Sequence, residues 1–252
     1  MVQALLLLAA SSFGTQVQPQ PSFTQAQLRA MFTGNAKVSF EGDNMIVTSN
    51  GIPNHETGHF PNQYNPNSIR EQHLRFVIPV TPKRGDQITP TPFGPIGVAI
   101  NGIPFYNQYN GEGQDAVKLE TFDSCCGHPD PSGMYHYHKY PVCVHSPFKD
   151  AAGKHSSLIG FMFDGYAVYG PNGVDGKPPT DLDSCNGHWD AVHGYHYHVT
   201  TAYPYIVGGY RGVVNLRTAR GRQGGPGGPP PFGRPPFGGP PPPASQKPQS
   251  TR

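Results

Sequence analysis

The sequence predicts a mainly β protein with few short helices, built on an internally duplicated β-rich domain and followed by a disordered Pro/Gly-rich tail. Three observations carry that prediction. Gly 32 and Pro 30 among 252 residues, with only 13% charged, call for many turns and short strands rather than long helices. Short β-branched and aromatic runs (KVSF, NMIVTSNG, LRFVIPV and IGVAING) are cut by Asn-Gly and Pro. The tetrapeptide Tyr-His-Tyr-His occurs twice, from Tyr135 to His138 and from Tyr195 to His198.

In chain order, MVQALLLLAASSFGTQVQ comes first. Its apolar stretch from Ala4 to Ala10 is too brief to span a bilayer, and Ser12 and Gly14 suit the small positions before a cleavage site. It predicts a signal peptide over 1–14 and a secreted, extracellular protein, although no Lys or Arg precedes the apolar run. Residues 15–34 form a polar segment in which SFTQAQLRAMF suits a short helix. The β-rich domain is expected over 35–218, with QDAVKLETF (Gln114 to Phe122) as its other helical candidate. The tail, 219–252, has no acidic residue beyond Gly221 and too little apolar sequence to bury a core. It reads as a solvated terminus or as a segment that engages extracellular matrix components. A net charge of +2 without a basic stripe argues against a nucleic-acid partner. No other stretch is apolar enough for a membrane span.

The chain also matches itself. DSCCGHPDPSGMYHYH (Asp123 to His138) and DSCNGHWDAVHGYHYH (Asp183 to His198) align without a gap. Upstream, GVAINGIPFYN (Gly97 to Asn107) parallels GFMFDGYAVYG (Gly160 to Gly170). The domain therefore reads as two copies of a unit of about sixty residues, with repeats near 97–138 and 160–198. Each copy keeps three histidines at one spacing while the residues between them differ: His128, His136, His138 and His188, His196, His198.

On a strand, His136 and His138 point to one face and Tyr135 and Tyr137 to the other. Same-face neighbours lie roughly 6.5–7 Å apart, near enough for two imidazoles to tilt onto one ion. His128, folded back across a turn, is the third expected ligand, and Asp123 or Asp130 would orient a ligating ring. The second copy repeats this with His188, His196, His198, Asp183 and Asp190. Nitrogen donors point to zinc or copper rather than calcium or magnesium. The spacing fits two separate ions or one ion shared between both strands. His145, His155 and His193 lie close by in sequence and are further candidates to contribute, although each individually reads as a surface or packing residue, and His73 as structural.

NHETGH contains His55-Glu56-Thr57-Gly58-His59, the pattern of zinc proteases. That chemistry needs a helix, and Pro53, Gly58 and Pro61 argue against one. The protease is therefore the least favoured reading, with His55 or His59 left a looser role near the metal. Cys125, Cys126, Cys143 and Cys185 allow two disulfides in an oxidising compartment, and the adjacent pair does not readily bridge to itself. Thiolate ligation is disfavoured because no Cys-x2-Cys spacing occurs.

DSCCGHPDPSGMYHYH, HSSLIGFMFDGYAVYGPNG and DSCNGHWDAVHGYHYHVTTAYPY, with SNGIPNHETG near the front, resemble the YHYH-domain family of secreted proteins over roughly residues 40 to 212. The resemblance implies a metal role and no particular reaction. Two departures stand out: GGYRG (Gly208 to Gly212) replaces the family's Gly-Cys-Phe-Arg-Gly, and Cys126 stands where Gly is usual. One cysteine lost and one gained imply an altered pairing, Cys125 with Cys143 and Cys126 with Cys185. The expected function is a secreted zinc- or copper-binding protein. The alternatives are a matrix component acting through its tail and, least favoured, the protease.

Overall fold

The computed structural model describes residues 23–148 and 154–219. The leader expected over 1–14 and nearly all of the tail expected over 219–252 lie outside the described residues. The chain opens with α1 (Gln25–Met31), then β1 (Lys37–Glu41), β2 (Asn44–Ser49), β3 (Leu74–Pro79) and β4 (Arg84–Thr89). The first copy follows as β5 (Pro95–Ala99), β6 (Pro104–Tyr106), α2 (Ala116–Leu119), β7 (Gly127–Pro129) and β8 (Tyr135–Tyr137). The second holds β9 (Leu158–Met162), β10 (Ala167–Tyr169), β11 (Gly187–Asp190) and β12 (Gly194–His198), before β13 (Tyr210–Gly212) and α3 (Leu216–Ala219). The fold is mainly β, as the sequence predicts.

The two copies build one eight-stranded sheet in the order β11-β12-β10-β9-β5-β6-β8-β7. Reading outward from the middle, each half is a hairpin, then a parallel strand, then an antiparallel edge: β5-β6-β8-β7 on one side and β9-β10-β12-β11 on the other. The halves meet where β5 and β9 pair antiparallel, with Val98 opposite Phe161. In the duplicated register these two residues are each other's counterparts, so a pseudo-two-fold axis passes between them. Both central strands are buried along their whole length, which accounts for their unbroken apolar runs. Gly97 and Gly160 sit at this seam because the chains approach too closely for a side chain. A Cβ on Gly160 would lie 2.4 Å from the Val98 carbonyl oxygen and 2.5 Å from the Phe105 ring.

A three-stranded sheet, β1-β2-β3, packs beside this core and turns alternate residues of β3 (Leu74, Phe76, Ile78) inward. Thr24 caps α1 in a capping box with Gln27, and Leu28 and Met31 join the core. β4 and β13 form a separate two-stranded sheet. The Arg211 N–H donates to the Tyr197 hydroxyl and the Gly212 N–H to the Asp164 carboxylate, which ties β13 to the second copy.

The turn before each edge strand is built the same way. Asp123 Oδ1 accepts from the N–H groups of Cys125 and Gly127, and Asp183 Oδ1 from those of Cys185 and Gly187. The intervening residue takes a left-handed backbone, φ 69° at Cys126 and 62° at Asn186. That is why glycine suits the place Cys126 occupies.

Cys125 and Cys143 are joined in a disulfide, whereas Cys126 and Cys185 are both free. The second pairing is corrected for a geometric reason: the two thiols belong to turns leading into β7 and β11, the opposite edges of the sheet. A bridge needs Cα atoms about 4.4–6.8 Å apart. Cys185 faces Gly209 instead, where a Cβ would stand 3.6 Å from its sulfur. Gly209 is the position at which the resemblance places its cysteine.

Gly160→Ala is expected to lower stability by about 1–3 kcal/mol in urea unfolding, the usual cost of overpacking. Gly111→Ala, with nothing within 4 Å of its added methyl, should stay within about 0.5 kcal/mol of the parent. Gly209→Cys should oxidise onto Cys185, displacing the exposed Ile88 methyl 2.6 Å from the new Cβ, and block alkylation of both thiols in a mass measurement.

Candidate metal centre

The β7–β8 hairpin sets His128 directly opposite His136, and His138 follows two residues along on the same face. Asp130 shapes the reversal by accepting the N–H groups of Ser132 and Met134 at 2.8 and 3.0 Å, with Gly133 at φ +86°. The three Nε2 atoms converge: 3.1 Å between His128 and His136, 3.0 Å between His136 and His138. Each Nδ1 is held by a backbone carbonyl, of Thr121, Met134 and Asn107 in turn. A carbonyl only accepts, so each Nδ1 carries the ring hydrogen and each Nε2 presents a bare lone pair. Three lone pairs aimed at one another at this range repel unless a cation lies between them. Nitrogens bound tetrahedrally at 2.0–2.1 Å to one ion would stand about 3.3 Å apart, close to the spacing seen.

Glu120 adds a carboxylate. It caps the C-terminus of α2, its N–H donating to the Ala116 carbonyl. Its Oε2 lies 3.6 Å from His128 Nε2 and 3.5 Å from His138 Nε2, buried and accepting no hydrogen bond from the described residues. Burial, with a smaller push from Glu112, raises its pKa to about 7. Burial also holds the rings neutral: His128 is lowered to about 4, His138 to about 3 and His136 well below its ordinary value. The Tyr106 ring stacks on His136 with centroids 3.8 Å apart, fixing its plane. These side chains form the floor of an open cleft of about 580 Å³ whose walls include Tyr64, Phe93 and Tyr109.

The second copy repeats the arrangement. His188 faces His196 across β11–β12, and His196 Nε2 lies 3.0 Å from His198 Nε2. Nδ1 of His196 and His198 donate to the Gly194 and Gly170 carbonyls, and Nδ1 of His188 to the Asp181 carboxylate at 2.8 Å. His188 Nε2 is buried without a hydrogen-bond partner among the described residues. A further group abuts the three through His196. His155 Nε2 stands 3.3 Å from His196 Nε2, Asp190 Oδ2 3.7 Å from it, and His193 donates from Nδ1 to Asp190 at 2.9 Å. Burial lowers His196 to about 3 and His198 to about 4. For Asp190 burial works against ionisation, but hydrogen bonds from His193 and Val192 outweigh it and bring the pKa to about 2.

All six repeated histidines thus fall into two groups of three, one in each half of the sheet. Four strands separate β8 from β12, so each group closes within its own copy and the two do not share a centre. The four aspartates divide. Asp190 faces the second group, while Asp130 is engaged by the Tyr106 hydroxyl at 2.8 Å. Asp123 and Asp183 serve the opposite face, accepting the hydroxyls of Tyr135 at 2.7 Å and Tyr195 at 2.8 Å. The tyrosines alternate with the histidines because they fill the core with their hydroxyls satisfied: Tyr197 donates to Asp164, and the Tyr137 hydroxyl accepts from Asn101.

His55, Glu56 and His59 lie in a stretch without helix, so the protease geometry does not form. His55 Nε2 instead meets the Tyr137 hydroxyl at 2.7 Å, on the tyrosine face. Cys125 and Cys143 also approach His55, but their sulfurs are consumed in the disulfide. Sequence reasoning missed Glu120, which only the end of α2 brings to the histidines, and ranked His155 and His193 below the six repeated histidines. The crowding of histidines around the second copy was the available signal for the latter two.

Residues 75–180 match the family model described as YHYH protein. No curated protein and no solved structure matches the chain. The matched segment contains β8 and the whole of the first histidine group, and it ends just before the second copy's histidine hairpin. The match over residues 75–180 supports the resemblance to the YHYH family read from the sequence.

Proposed function

We propose that this is a secreted metal-binding protein that holds zinc or copper in its two histidine groups. The observation that carries the reading is the convergence of Nε2 lone pairs at 3.0–3.1 Å in rings whose Nδ1 hydrogens are committed to backbone carbonyls. Hydrogen bonding within the groups does not relieve that crowding, and burial disfavours relief by protonation. Imidazole-rich donor sets favour zinc and copper over the alkaline earths. The disulfide and the apolar leader sequence support an oxidising, extracellular location. His128, His136 and His138, and His188, His196 and His198 with His155 and Asp190, are the residues assigned to the ions, and Glu120 stands beside the first group as a hydrogen-bond acceptor.

Purified protein should carry about two equivalents of transition metal per chain, counted by elemental analysis, one per histidine group. His136→Ala/His196→Ala should retain less than about half an equivalent, because each substitution removes the central nitrogen of its group. Wild-type protein that binds less than half an equivalent after incubation with zinc and with copper(I) would overturn the reading. Glu120→Gln should weaken only the first site, by about tenfold, the usual effect of a close carboxylate partner.

Metal-free protein gives a second test through pH. The His128, His138, His196 and His198 pKa values lie at about 3–4 in the fold, His136 is also lowered, and all titrate near 6.5 when unfolded. Between those values the unfolded chain binds more protons, so the histidine contribution to stability is complete above about 6.5 and is lost as pH falls toward 4. Glu120 and Asp164, raised to about 7 and about 6, act in the opposite direction, but they are two carboxyls against five rings. The urea midpoint should therefore fall from pH 7 to pH 5, and fall less steeply in His136→Gln/His196→Gln.

A further inference from the structure

The two histidine groups are not equivalent in what surrounds them. The first lies on the floor of the cleft, and its Glu120 Oε2 is a buried acceptor without a donor among the described residues, 3.5–3.6 Å from two of the ring nitrogens. The second is packed by residues the first copy lacks. His193 stands where the first copy has Gly133, and its ring stacks on His155 with centroids 4.0 Å apart. His155, only 4% exposed, presses on His196 from the side, and Asp190 fills in beside it. The counterpart of Asp190 in the first copy, Asp130, accepts instead from the Tyr106 hydroxyl.

Building on the metal-binding reading, we propose that the first group is an exchangeable centre, where a neutral oxygen- or nitrogen-donor ligand with a flat apolar face reaches the ion along the cleft, and that the second group is closed to such ligands. The cleft sets that chemistry. Tyr64, Phe93 and Tyr109 offer ring faces, Glu112 and Asp130 make the walls acidic, and among the described residues no Lys or Arg lines it. Anions are therefore disfavoured on approach. An ion held by three imidazoles keeps a position for an outside ligand. Glu120 is placed to accept a hydrogen bond from an N–H or O–H of that ligand, or from the water it displaces. In the second copy His155 and Asp190 supply donors where an outside ligand would enter.

Cobalt(II) loading followed by titration with imidazole tests this. Imidazole should shift the visible bands of one of the two ions. His188→Ala/His196→Ala should lose the unresponsive ion and keep the response. Gly111→Trp places a large ring on an open stretch of the cleft wall with nothing within 4 Å of its Cβ. It should keep both ions and lose the response. A shift at both ions or at neither, a response confined to the second group, or a Gly111→Trp protein that responds like the parent would overturn the proposal. Wild-type protein that takes up no cobalt would be a different failure, removing the metal reading beneath it.

Discussion

The central constraint in this molecule is the placement of ring hydrogens. A backbone carbonyl beside Nδ1 decides the tautomer of a buried histidine, and here carbonyls do so at His128, His136, His138, His196 and His198. The consequence is a cluster of unprotonated nitrogens inside a desolvated sheet. Much of the surrounding structure serves that outcome: the Asp130 and Asp190 turns that close the hairpins, the cross-strand registry of His128 with His136 and His188 with His196, and the aromatic ring against His136. Without a cation the arrangement is electrostatically frustrated, which is uncommon for buried polar groups.

The alternation of tyrosine and histidine separates two tasks on one strand. The tyrosine face is structural, with its phenols buried and bonded to Asp123, Asp183, Asp164 and Asn101. The histidine face gathers the bare ring nitrogens. A shift of one residue in strand register would exchange the faces, so the bonded phenols also protect the histidine geometry. The Tyr135 and Tyr195 rings reach diagonally across their hairpins and require glycine there: a Cβ at Gly127 would lie 2.3 Å from Tyr135 Cζ, and one at Gly187 2.1 Å from the Tyr195 hydroxyl oxygen.

Much of this could be read from residue order. Same-face placement of His136 and His138 follows from the two-residue period of a strand, and the repeat pointed to His128 and His188 as companions. What escaped reading depended on contacts between distant segments. Glu120 reaches the site from the end of a four-residue helix, and nothing in KLETF distinguishes it. Asp123 and Asp183 are close to the histidines in sequence, yet they serve the other face of the sheet. The Cys126–Cys185 pairing rested on counting cysteines, and sheet order puts the two at opposite edges. β4 and β13 escaped because Arg84–Thr89 shows no regular alternation of buried and exposed residues and acquires its strand only by pairing.

The seam between β5 and β9, where Val98 faces its own counterpart Phe161, has one more consequence. A lone copy of the unit would leave the side of β5 away from β6 as an open edge, apolar along its length. The same edge of an identical molecule would have the shape to cover it. Fusing both copies in one polypeptide turns an encounter between molecules into a connection within one, so the central pairing no longer depends on protein concentration. It also frees the halves to diverge, since a change in one is no longer imposed on the other.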